Sequence, residues 1–348
     1  MNTATIETVL GPTELSQLGR TLTHEHLALD FNKFFVSPPS QLEKYFMTTI
    51  NLSNVGYVKQ YPYSSRYNVN FNDKDTETAV IKDVELFKQF GGGTIVENTS
   101  HGIKRDIPSM KRISQATGVH IIAGTGHYVE STQDVNNLIL QEESMYNLML
   151  KELTKGCVNC PEVKAGFIGE VGSSWPITDF EKRAIRATAQ VQSQLNCPVS
   201  FHPGRNSSAP YEIMRIFREA GGNSEKVIMS HLDRTLPDKE KLLAFADEKC
   251  YCQFDLFGIE CSYYQLNQTT DMPSDAQRLD MIKWIKDDGR VSQILMSHDI
   301  HTKHRLVEFG GHGYSHILNN VLPRMPAKGF TSEDIDTITI INPKTWLS

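Results

Sequence analysis

The stretch RTLTHEHL, residues 20–27, sets His24 and His26 one residue apart at the end of a β-branched run. Along a strand, residues two apart share a face, so both imidazoles converge on one spot while Glu25 turns to the other side. Two imidazoles on one face can begin a metal site, although an H-x-H pair is equally at home on a solvated surface. Other side chains able to bind a cation or move a proton stand at similar breaks. They are Glu97 and Asn98 in GGTIVENT, His127 after VHIIAGTG, Glu170 in AGFIGEVG, His202 in CPVSFHPG, His231 in KVIMSHLD, Asp255 in CYCQFDLFG and Asp299 in QILMSHDIH. If four histidines and two or three carboxylates meet, the chemistry open to them is activation of water by a pair of divalent cations.

The elements that must position them follow one pattern. Eight apolar runs without strict alternation, the sevenfold series just quoted plus RTLTHEH, read as strands buried on both faces of a parallel sheet. Segments of helical period lie between them: DTETAVIKDVELFKQFG, TDFEKRAIRATAQVQSQLN with Thr178 and Asp179 as cap candidates, APYEIMRIFREAGG and DKEKLLAFADEK. Strand followed by helix eight times over predicts a single (β/α)8 TIM barrel spanning 1–348. In that fold the C-terminal strand ends share one rim, so a binuclear metal site is expected there. Residues from about 27 to 75, rich in aromatics, Pro and Asn, are too long for an ordinary βα loop and read as a lid or wall. A second long connection follows the seventh strand, from 257 to about 285.

Composition narrows the classes. The formal net charge is −6 and no Lys/Arg stripe forms, which argues against nucleic acid or an anionic membrane as partner. The N-terminus lacks a basic start and an apolar core, so it does not read as a signal peptide, and a cytosolic location is expected. The six cysteines are scattered, and CVNC (157–160) has no second pair to complete a zinc site.

The strings GRTLTHEHL, GEVGSSWP, HPGR, SHLDRT, SHDIHTK and GGHGYSHIL, in this order along the chain, resemble the phosphotriesterase branch of the amidohydrolase superfamily, nearest its animal members. The resemblance implies that His24, His26 and Asp299 hold a buried metal, His202 and His231 a more exposed one, and that Glu170 bridges them. It implies two divalent ions per subunit, zinc first, with manganese, iron or cobalt also suited. Glu170 is a departure, because the bacterial members carry a carbamylated lysine at that strand end, and Lys164 is too early in its strand to replace it. A second departure is Asp233-Arg234 after His231, where bacterial members have two aspartates.

By the same resemblance the activity is hydrolysis of N-acetyltaurine and related N-acyl amino acids, with Asp299 accepting the proton of the attacking water. The expected partner is a small anionic N-acylated substrate, and the protein itself is expected to be a monomer or a homodimer. Arg205, three residues past His202, can pair with a sulfonate or carboxylate; Asn98, His127 and Tyr128 are further pocket candidates. His301 and His304 are expected behind the ligands, and His312 and His316 in a rim loop. Two other readings stand beside this one: a lactonase or phosphotriesterase on the same metals, and a non-catalytic binding protein on the same scaffold.

Overall fold

The computed structural model describes residues 4–261 and 263–348. All eight expected strands form: β1 Arg20–Glu25, β2 Gly92–Glu97, β3 His120–Thr125, β4 Phe167–Gly172, β5 Val199–His202, β6 Val227–Met229, β7 Tyr251–Phe254 and β8 Ile294–Met296. They pair in chain order and every pairing is parallel. Strand β8 returns to β1 at the rim, where the Ser297 hydroxyl accepts the His24 N–H (3.0 Å) and the Asp299 N–H donates to the His24 carbonyl (3.1 Å). The sheet is thereby drawn into a barrel.

The helices form where their sequence signals put them. Helix α1, Lys74–Gln89, starts on an Asp73 side chain that accepts the Thr76 N–H. Helix α2, Asp179–Leu195, has a capping box between Thr178 and Glu181, and its buried face carries Ala184, Ile185, Ala187 and Val191. Helices α3, Ala209–Glu219, and α4, Lys239–Ala246, cover the next two crossovers. The interior of the barrel is filled by Val96, Ile122, Phe167, Ile228 and Leu295, side chains from β2, β3, β4, β6 and β8. Below them an N-terminal hairpin (Thr5–Thr8 with Gly11–Glu14) and the C-terminal helix pack in, with Trp346 against Phe167 at 5.6 Å. One close approach depends on glycine: a Cβ on Gly124 would lie 2.1 Å from the Gly169 carbonyl, so β3 and β4 can pack only without it.

The expected lid is built from short turns of helix and a two-stranded pairing of Leu29–Asp30 with Asn70–Phe71. Lys303, fully buried, fastens it by donating to the Tyr67 carbonyl (2.9 Å) and to Asp73 (2.5 Å). No helix among the described residues is long and apolar enough to cross a membrane.

Candidate metal centre at the barrel rim

The C-terminal strand ends bring six side chains together. His24 Nε2 lies 3.6 Å from both Glu170 Oε2 and Asp299 Oδ1. His26 Nε2 lies 3.2 Å from Asp299 Oδ1 and 3.4 Å from Glu170 Oε1. On the other side, His202 Nδ1 is 2.9 Å from Glu170 Oε2 and 2.8 Å from His231 Nε2. Glu170 therefore turns one oxygen to His26 and the other to His202 and His231. All six are at most 7% exposed.

These residues fit a pair of divalent cations. The ligand atoms of His24, His26 and Asp299 lie within 4.8 Å of one another, as do those of His24, Glu170 and His231. His24 Nε2 is buried with no hydrogen-bond partner among the described residues, and two carboxylate oxygens lie 3.6 Å from it. Burial alone would lower the His26 imidazole, yet the Asp299 and Glu170 carboxylates raise it to about 10. Burial would likewise raise Glu170, but the imidazoles of His202 and His24 hold it well below the usual carboxylate range. The cluster gathers negative charge around nitrogen lone pairs, the donor set of a cation site.

The backs of the imidazoles are tied down, which fixes the nitrogen each ring presents. Asp255 Oδ1 accepts both the His231 backbone N–H (3.0 Å) and its Nδ1–H (2.7 Å), leaving Nε2 for the site. His26 Nδ1 donates to Thr99 (2.9 Å), whose hydroxyl donates to Glu97 (2.6 Å). Lys164 precedes β4 and is paired with Glu7 at 3.2 Å, away from the cluster, and the carboxylate that faces both halves of it is that of Glu170.

Two of the six occupy left-handed backbone, His231 at φ 58 and Asp299 at φ 53. Such residues persist only when neighbours over-determine them. For His231 the anchor is Asp255. For Asp299 it is Glu25, the residue between the two histidines. Fully buried, Glu25 accepts the N–H groups of His298 (2.8 Å) and Ile300 (3.1 Å), which flank Asp299, and the His298 Nδ1–H (2.7 Å). In Glu25→Gln one acceptor becomes a donor facing these N–H groups, so metal affinity is expected to fall roughly 10–100-fold. Metal titration of wild type and variant checks this; unchanged affinity would confine Glu25 to the scaffold.

A cavity of about 520 Å³ opens onto the six, with Phe31 and Tyr63 from the lid and Leu256 and Tyr264 from the loop after β7 in its wall. Of the substrate-binding candidates, Arg205 and Tyr128 line it, the Tyr128 hydroxyl lying 3.4 Å from His202 Nδ1. Asn98 and His127 do not. The Asn98 amide is turned into the barrel, donating to the carbonyls of Thr23 and Val96 (3.1 Å each). His127 packs outside the site between His101 (5.7 Å) and Phe180 (5.8 Å). His301 stands directly behind Asp299, Nδ1 at 3.2 Å from Oδ2, with Nε2 3.1 Å from the Tyr63 hydroxyl. His312 and His316 lie in the cavity's outer wall, His316 Nε2 bonded to Asp275 at 2.7 Å, and His304 is bonded to Asn68 of the lid. Tyr63 and Tyr264 were not legible from spacing, because both come from loops without periodicity.

Residues 4–347 match the model of the phosphotriesterase family. The chain belongs to that family. It is 56% identical to the phosphotriesterase-related protein of Aedes aegypti over 351 residues, 99% of each chain. It is 52% identical to that of Drosophila melanogaster over 347 residues, again 99% of each. In three dimensions it is similar to the crystal structure of a resiniferatoxin-binding protein from Rhodobacter sphaeroides, with a TM-score of 0.93 at 27% identity over 99% of this chain and 95% of that one. The organophosphorus hydrolase of Deinococcus radiodurans shares the fold, with a TM-score of 0.78 at 22% identity over 99% and 97%. Phosphotriesterase-family enzymes are metal-dependent hydrolases, and this protein is a hydrolase of that kind.

Proposed function

We propose that the protein hydrolyses N-acetyltaurine and related N-acyl amino acids to acetate and taurine or the free amino acid. Arg205 carries this reading. Its guanidinium stands in the wall of the cavity that holds Glu170 and Asp299, and its terminal nitrogens have no protein acceptor among the described residues. A fixed cation beside a hydrolytic centre favours a substrate with an anionic tail. A neutral phosphotriester or lactone gives that cation nothing to pair with.

The residues that would hold the two ions are His24, His26, Glu170, His202, His231 and Asp299. When bound, such ions acidify water and polarise the scissile carbonyl, and the imidazole and carboxylate donors suit zinc as well as manganese, iron or cobalt. Asp299 takes the proton of the attacking water on a carboxylate oxygen and returns it to the amine nitrogen as the C–N bond breaks. Its Oδ1 is held toward His26 and its Oδ2 toward His301, 3.2 Å in each case. Phe31 and Tyr63 line the cavity on its lid side.

Loss of one partner of a buried charge pair costs about 2–5 kcal/mol, so Arg205→Ala is expected to lower kcat/KM for N-acetyltaurine roughly tenfold to several thousandfold. Steady-state assays beside a neutral lactone or ester check it, since that substrate should change much less. Equal losses on both would make Arg205 part of the scaffold, and no loss on either would remove it from recognition.

A further inference from the structure

Of the four arginines in the cavity wall, Arg305 is tied to the carbonyls of Asp299 and His298, whereas Arg205 and Arg234 stand beside the His202 segment and form no ion pair with a carboxylate among the described residues. Arg205 gives its Nε–H to the Tyr264 hydroxyl (2.7 Å), with the guanidinium carbon 5.3 Å from that ring's centre. Arg234 is 5% exposed, yet among the described residues its guanidinium finds only two neutral acceptors at long range, the Thr235 hydroxyl and the Pro203 carbonyl, each at 3.2 Å. The carboxylates near it in the chain are engaged elsewhere. Asp233 Oδ2 accepts from Arg278 (2.9 Å) and from the Leu256 N–H (3.0 Å). Asp255 accepts from His231 and from Gln253.

The bond to Pro203, which lies between His202 and Arg205 in the chain, sets the Arg234 guanidinium on the same side of the site as Arg205. Burial and the neighbouring charge of Arg205 both work against the Arg234 cation. Asp255 and Asp233 offset this only from a distance, being bonded to other groups. A buried and a half-buried like charge sharing one cavity with no carboxylate bonded to either are costly in isolation, and an anion placed between them relieves both.

We propose that Arg205 and Arg234 together seat the tetrahedral oxyanion of the substrate, and that Arg234 makes the site prefer a sulfonate to a carboxylate. The proposal rests on the amide-hydrolase reading above. A carboxylate presents two oxygens in one plane, which a single guanidinium fork can satisfy. A sulfonate presents three oxygens splayed about sulfur, so a single fork leaves at least one of them to a second donor. Arg234, held on the Arg205 side of the site by Pro203, is a second charged donor in place for it.

The test uses the metal-loaded, full-length protein and three N-acetyl amides of similar length: those of 2-aminoethanesulfonate, 3-aminopropanoate and uncharged propylamine. Wild type should favour the sulfonate over the carboxylate. Arg234→Gln should lower kcat/KM for the sulfonate by ~30-fold or more, chiefly through KM, and for the carboxylate by less than about tenfold. Arg234→Lys, which keeps the charge without the fork, should recover part of the loss and guards against a variant that fails to fold. An unchanged sulfonate-to-carboxylate ratio in Arg234→Gln overturns the proposal, and so does an equal fall on all three amides, which would make Arg234 a support for the His202 segment. If wild type cleaves none of the three, the amide-hydrolase reading fails separately. The seat is then decided by calorimetry: ethanesulfonate binding more tightly than propanoate to wild type, with the difference lost in Arg234→Gln, supports it, and absence of that difference overturns it.

Discussion

Glu170→Ala is expected to lose bound metal and turnover together, with kcat/KM falling at least ~10³-fold, because removing a bridging carboxylate forfeits about 4 kcal/mol or more of charge stabilisation. The geometry behind this is the split between its oxygens. Oε1 lies 3.4 Å from His26, while Oε2 lies 2.9 Å from His202 and 3.7 Å from His231, so one side chain joins both halves of the cluster. Four imidazoles and Asp299 remain in the variant, but their mutual arrangement loses its central anion. Because a glutamate needs no carbon dioxide to become a bridge, wild-type activity should be indifferent to added bicarbonate. Metal analysis and kinetics on the same preparations check both parts. Full metal content with full activity in Glu170→Ala would remove this residue from the site.

The second large effect concerns Asp299. Asp299→Asn keeps the shape of the side chain and abolishes its ability to take a proton, so kcat for the amide is expected to fall ~10²–10⁴-fold with KM much less affected. The position is unusually well determined: its left-handed backbone is held by the N–H groups on either side, both bonded to Glu25, and its Oδ2 is fixed by His301 at 3.2 Å. A neutral amide there should therefore stay in place, which lets kinetics report on proton transfer instead of on collapse of the rim. Metal content measured in parallel separates the roles of ligand and proton carrier. A kcat within tenfold of wild type would assign the proton transfer to another group.

The barrel was legible in the sequence because its strands are buried on both faces, so each appears as an apolar run ending in Gly, His, Asp or Glu. Each of the eight runs brackets an observed strand, and Thr178 caps the helix it was expected to cap. Most of the site was legible for a related reason: in a closed parallel barrel every strand ends at the same rim, so position along a strand nearly fixes position in space. Which way a residue faces there is a finer matter. Asn98 follows Glu97 at the end of β2, yet its amide turns back to the Thr23 and Val96 carbonyls. His127 lies past Gly126, where the chain has left the strand and the ring packs on Phe180. Glu25, by contrast, obeys the alternation of its strand, facing away from the histidines, and its bonds to His298 and Ile300 explain what it does there. Tyr63 and Tyr264 reach the cavity from loops whose course depends on packing, Lys303 under the lid being one example, and no local period announces them.

Occupancy of the rim by two divalent cations, held by the same six side chains, can be observed directly. Anomalous diffraction from crystals of the zinc-loaded protein, recorded on both sides of the zinc edge, tests it most directly. Two strong peaks are expected, one among His24, His26 and Asp299 and one beside His202 and His231, with Glu170 between them. A single peak, or density lying away from these side chains, would contradict it.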